Sequence, residues 1–288
     1  MQFRKGPNLV GPLGVLQPIA DGLKLFIKER LKPSNASPVL FFVSPGLFFF
    51  IALVLWGVVP VIFSGMNITV SVLFLITLSS LSVYAILGSG WASKSKYALL
   101  GAIRAVAQTV SYEVSFGLIL LPIIVVIGGW SFQLLVDLGE IWFILPCLPL
   151  ALMWYVSRLA ETNRAPFDLT EGESELVSGY KVEYAGAPFA LFFIGEYANI
   201  IIMNLVSVVL FFGRGSPFSF FPLALVSLII KTVLLVFSFL WVRSSFPRVR
   251  YDQLMDIMWK NFLPLSIALL MLYCLLLYLF GGVGPRYL

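Results

Sequence analysis

Histidine is missing from this sequence altogether, and cysteine occurs only twice, at Cys147 and Cys274, each alone inside an apolar run. These shortages exclude iron–sulfur ligation, a structural zinc site and a Ser-His-Asp triad from within the chain. No G-x-G-x-x-G fingerprint and no P-loop are present, so a dinucleotide or nucleotide phosphate finds no recognisable cradle. The chain is therefore expected to bind no FMN, iron–sulfur cluster or NAD itself. If it takes part in redox chemistry, the electron carriers belong to partners. Charge is scarce too, at 11% of 288 residues, too little to cover the surface of a soluble domain.

What fills the sequence instead is apolar. Sixty percent of the residues are hydrophobic and the mean hydropathy is +0.98. A bilayer accepts that balance, because side chains facing lipid are free to be apolar all round. Seven runs approach the roughly 20 residues needed to span a membrane. They lie at about 39–63, 68–88, 97–127, 141–160, 187–213, 218–242 and 262–280. Leu, Val, Ile and Phe fill them without two-residue alternation, which favours helices over a barrel. The expectation is an all-α integral membrane protein, one membrane domain over 1–288. The opening Met-Gln-Phe-Arg-Lys-Gly-Pro has no apolar stretch of the signal-peptide kind.

The net charge of +5 reports topology rather than nucleic-acid binding. With seven spans, fifteen basic residues fall on the side of residues 1–38, among them Arg158, Arg164 and Lys181, and only Arg214 and Arg286 on the other. That asymmetry marks the first side as cytoplasmic or matrix. Within 13–30, Gln17, Asp21, Lys24 and Lys28 recur at spacings of 4, 3 and 4, with Leu16, Ile19, Leu23, Phe26 and Ile27 filling most of the remainder. This pattern predicts an amphipathic helix lying in the membrane interface.

Ionisable groups inside spans are costly and turn toward a protein interior or a wet cavity. The third span carries Arg104, Gln108, Ser111 and Ser115 as one stripe, with Glu113 on another face; Glu196 lies in the fifth span and Lys231 in the sixth. Two readings stand: interhelical pairing of a Glu with Lys231 or Arg104, or a proton or ion path. The loop 161–186 is acidic on an otherwise basic side, with Glu161, Asp168, Glu171, Glu173, Glu175 and Glu183 against Arg164 and Lys181. Asp168 and Glu171 have the spacing of a capping box opening a short helix toward Gly179. Either this is a solvated capped helix, or the crowded carboxylates raise one another's pKa into a range suited to proton relay.

Three stretches carry a resemblance that spans essentially the whole chain. Gln2–Asn8 with Gly11-Pro12 and Gln17–Lys24, then Ala160–Leu176, then Arg248–Met255 leading to Trp259-Lys260 are similar to signatures of the subunit 1 family of respiratory complex I, the proton-pumping NADH:quinone oxidoreductase. Members of that family have eight transmembrane helices, the first preceding the Gln-x-Arg-Lys-Gly-Pro stretch; here about seven are expected. The resemblance implies a membrane subunit that docks the hydrophilic arm, forms a channel for ubiquinone toward the terminal iron–sulfur subunit, and joins it to a chain of carboxylates. It assigns Arg4, Asp21, Lys24, Arg164, Phe167 and Asp168 to the quinone channel. It assigns Glu113, Glu161, Glu171, Glu173, Glu175, Glu183 and Glu196 to the proton path. It also implies other complex I subunits, ubiquinone and lipids as partners, and the mitochondrial inner membrane as location. Two rival readings are the homologous anchor of a membrane-bound hydrogenase-type complex and a stand-alone secondary transporter.

Overall fold

The computed structural model describes residues 6–60, 68–137, 144–168, 179–213 and 221–279, and every structural statement below concerns these. They hold no strand; ten α-helices follow one another. Helix α1 (Gln17–Ile27) lies ahead of α2 (Pro38–Val58), α3 (Ser71–Ala92) and α4 (Lys96–Ile127). A short α5 (Phe132–Asp137) and α6 (Leu148–Glu161) come next. Then α7 (Ala187–Ser207) runs on as a π-helical turn to Phe212, and α8 (Phe221–Ser245) follows. Finally α9 (Tyr251–Asp256) continues through a π-helical stretch into α10 (Leu263–Leu279). Six of these helices are long and apolar enough to cross a membrane.

Local chemistry explains the starts and stops. Pro18, Pro38, Pro149 and Pro188 occupy the first turn of α1, α2, α6 and α7, where a missing N–H costs nothing and the fixed φ suits a helix. Ser95 caps α4 by accepting from the Ala98 N–H. Gly128 ends α4 in the left-handed conformation (φ 74°), its N–H returning to the Ile124 carbonyl at 2.8 Å.

Contacts between helix ends show neighbouring helices running antiparallel. Ser37 at the start of α2 donates to the Ala92 carbonyl at the end of α3. Val72 at the start of α3 donates to Trp130 just past α4. Tyr273 of α10 donates to the Pro146 carbonyl ahead of α6, and Ile144 donates to Phe211 at the far end of α7. The centre of the bundle is α4, which packs on α3, α6 and α10, while α2 packs on α3 and α7. At 32 residues, about 48 Å long, α4 exceeds the roughly 30 Å hydrocarbon core.

Some boundaries differ from the sequence reading. The amphipathic element is an 11-residue helix, not eighteen, because a 3-10 turn at Pro12–Gly14 precedes it. Its stripe forms as read, with Gln17 donating to Asp21 at 3.1 Å. The last membrane helix begins at Tyr251 rather than near 262, since Asp252, Asp256 and Lys260 lower hydropathy without breaking helical hydrogen bonding; Lys260 and Asp256 pair at 2.8 Å. The fourth span, expected at 141–160, is described from residue 144 and becomes helical at Leu148.

Candidate functional site

Nine residues, about 13 Å of helix, separate Ala187 from Glu196 along α7, so this carboxylate sits well below the helix start. It is buried and gathers three donors. Arg164 Nη2 approaches Oε2 at 2.7 Å, Lys181 Nζ pairs with Oε1, and Tyr180 OH donates to Oε1 at 3.0 Å. Phe193, one turn before Glu196, and Tyr197, the next residue, place their rings 5.7 and 5.3 Å from the Arg164 guanidinium carbon, and Phe193 also faces the Lys181 ammonium. Two cations that read as loop charges are therefore drawn into the bundle by one membrane carboxylate. With Arg158, which is buried inside α6, they correct the charge count: three of the fifteen basic residues are held by buried contacts, whereas the topology rule concerns solvated charge.

Gln108 explains how the loop reaches this depth. Its Nε2 donates to the carbonyls of Ala160 and Phe167, both at 2.9 Å, tying the end of α6 and the following turn to the middle of α4. Ser111, one turn on, accepts from Trp259 Nε1 at 3.3 Å and contacts Met255 Sδ. The polar stripe on α4 is thus an interhelical seam. Phe167 packs against Tyr112, and Asp168 pairs with Arg248 at 3.7 Å while the Val249 N–H donates to Pro166. A second loop, 246–250, therefore staples the first. The interhelical pairing expected for Glu is real, but its cations are Arg164 and Lys181. Lys231 instead donates to the carbonyls of Phe212 and Gly213, at the C-terminal end of the α7 helical stretch, where a cation meets the negative end of the dipole.

Behind this cluster lies a narrow cavity of about 30 Å³, room for about two water molecules. Its walls are the mid-portions of α2, α3, α4 and α7, closed by the end of α6 and by Tyr180. Three carboxylates border it, Glu113 from α4, Glu161 from α6 and Glu196 from α7, with Ser79, Ser82, Thr109, Thr162, Asn163 and Asn199 between them. The side-chain carbonyls of Asn163 and Asn199 have no partner among the described residues, which suits them to water in that space.

Of the residues read from sequence, Glu113, Glu161 and Glu196 are brought to one cavity, and Arg164 is paired with Glu196. Phe167 and Asp168 lie on the turn beside it. Glu183 is half-buried beyond Tyr180 and does not border the cavity. Asp21 and Lys24 pair at 3.8 Å on the exposed face of α1, whose end meets the chain at Gly186 before α7. Arg4, Glu171, Glu173 and Glu175, and the short helix expected after Asp168, lie outside the described residues. Sequence reasoning missed Tyr180 and the two asparagines; the only signal was a run of hydrogen-bonding side chains next to acids.

A family model described as NADH dehydrogenase matches residues 1–274. The chain is 64% identical over 272 residues to a Paracentrotus lividus protein named NADH-ubiquinone oxidoreductase chain 1, covering 94% of this chain and 84% of that one. Proteins of the same name from Patiria pectinifera and Oncorhynchus mykiss are 59% and 58% identical over 287 residues, covering 99% of this chain and 88% and 89% of theirs.

Proposed function

The chain belongs to the NADH dehydrogenase family and is a multi-pass membrane subunit of NADH:ubiquinone oxidoreductase, and on that premise we propose that it forms the ubiquinone access channel and starts a proton-coupling path at the junction with the hydrophilic arm. The observation that carries the reading is the convergence of Glu113, Glu161 and Glu196, from three helices, on one polar cavity at mid-bundle depth. Carboxylates in a shared low-dielectric space with water between them exchange protons over short distances. The loop that carries Arg164, Phe167 and Asp168 is tied to the same space through Glu196 and Gln108. A movement of that loop on quinone reduction alters the donors around Glu196, and with them the proton affinity of the cavity. Ubiquinone enters as substrate. FMN and iron–sulfur clusters reside in partner subunits of the hydrophilic arm, including the one with the terminal cluster, and the subunit sits with its partners and lipids in the mitochondrial inner membrane.

A hydrogenase-type anchor and a stand-alone transporter are disfavoured by 57–64% identity to relatives that all carry the same oxidoreductase name. The test is Glu113→Gln in the assembled complex, reconstituted in proteoliposomes. Among the described residues Glu113 has no ion pair, so assembly is expected to survive while quinone-linked turnover and proton uptake fall together. Normal turnover and pumping in this variant would remove the cavity from the path.

A further inference from the structure

Arg158 is a buried cation that the proposed path does not use. It is 1% exposed, three residues from the end of α6. Its Nη1 donates to Ser207 Oγ at 2.9 Å, and its guanidinium carbon lies 4.5 Å from the centre of the Tyr155 ring. Trp154 Nε1 donates to the same hydroxyl at 2.8 Å, and that hydroxyl returns to the Met203 carbonyl at 2.6 Å. No carboxylate lies within ion-pair distance of Arg158 among the described residues, and its Nε and Nη2 have no acceptor there. A guanidinium does not lose its proton in a protein. This is a fixed positive charge held by a hydroxyl and an aromatic face.

Its position gives the charge a use. Glu161 and Thr162 border the cavity on α6, and Met203 borders it on α7. Arg158 and Ser207 occupy the next turn of each helix, on the side away from the loop. Beyond them the interior is apolar: Trp154 stacks on Phe116 at 4.2 Å and approaches Phe211 at 6.2 Å, with Leu150 and Met153 alongside. We propose that Arg158 is an electrostatic stopper. It repels an excess proton in the cavity from the turn of α6 and α7 that leads away from the loop, so that protons leave sideways to partner subunits instead of short-circuiting the membrane. A fixed charge backed by an apolar plug is a general means of excluding protons from a pore. At a separation of one helical turn and an effective dielectric near 20, it slows passage by more than about tenfold.

The inference rests on the reading of the cavity as a proton path, and the experiment separates the two. The assembled complex is placed in proteoliposomes and blocked with a quinone-site inhibitor. A potassium diffusion potential is applied, and proton entry is followed with a pH dye and expressed per assembled complex. Arg158→Gln and the smaller Arg158→Thr are expected to leak more than about tenfold faster than the parent, and Arg158→Lys, which keeps the charge, to stay tight. Adding Glu113→Gln to Arg158→Gln is expected to suppress the leak, tracing it to the cavity. Parental leak rates in both charge-removing variants overturn the stopper, as does equal leakage in Arg158→Lys. If Glu113→Gln alone pumps normally, the path reading fails, whatever Arg158 does.

Discussion

Replacing Glu196 with Gln tests whether this carboxylate is a clamp as well as a proton site. The side chain is almost isosteric, so packing is kept and only charge is lost. In the native bundle Glu196 compensates Arg164 at 2.7 Å and Lys181, whose side chains are 5% and 1% exposed, and accepts from Tyr180. Gln retains one acceptor oxygen but presents an amide donor to the other side, opposite a cation. Removing one partner of a buried pair costs about 3–5 kcal/mol, because the remaining charge is left in a low dielectric. The lower bound applies here, since one hydrogen bond survives. About 3 kcal/mol corresponds to a roughly 150-fold rise in local opening of the segment 179–186 and the turn at 164–168. Hydrogen–deuterium exchange on the assembled complex reads this directly, with peptides from α2 as internal reference. Faster exchange at 179–186, together with loss of assembled complex on native gels, is the expected result. Parental exchange with parental assembly would mean that Glu196 is dispensable to the clamp, and the argument from buried charge would fail. The contrast with Glu113→Gln matters: one substitution is expected to cost structure, the other turnover.

Two further substitutions probe how the loop is held. Gln108→Leu deletes both donors to Ala160 and Phe167; the Ala160 carbonyl keeps the Asn163 N–H while the Phe167 carbonyl loses this donor, at a cost of about 1–3 kcal/mol; a higher apparent KM for quinone and faster thermal inactivation are expected, and unchanged values for both would refute the tie. A Cβ on Gly101 would lie 2.7 Å from the Gly179 Cα, backbone that cannot step aside, so Gly101→Ala is expected to destabilise by about 1–3 kcal/mol and lower the yield of assembled complex. Gly117→Ala, on the same helix with nothing within 4 Å, is the control and should leave yield unchanged or slightly raised.

The membrane character, the helical class and the alternation of sides follow from patterns that need no neighbours. Six long apolar runs have to bury or solvate their backbones as helices, and residues such as Ser95 and Gly128 mark their ends through bonds a few residues long. The long motifs that identify the family are also strings, legible without a fold. Glu113 and Glu196 stood out for the same reason: a carboxylate inside an apolar run is conspicuous before any contact is known.

Partnership was another matter. Nothing in the sequence tells that Glu196 pairs with Arg164, 32 residues away, rather than with Lys231 or Arg104, or that Lys181 and Arg158 leave the aqueous side for the interior. Nor does helical periodicity reveal that the stripe on α4 is a seam carrying the turn after α6 down to the cavity. Local pattern fixes which residues share a face, because it depends on the pitch of one helix. Which faces meet, and which charges are thereby buried together, depends on packing between segments far apart in the chain, and only the assembled bundle decides it.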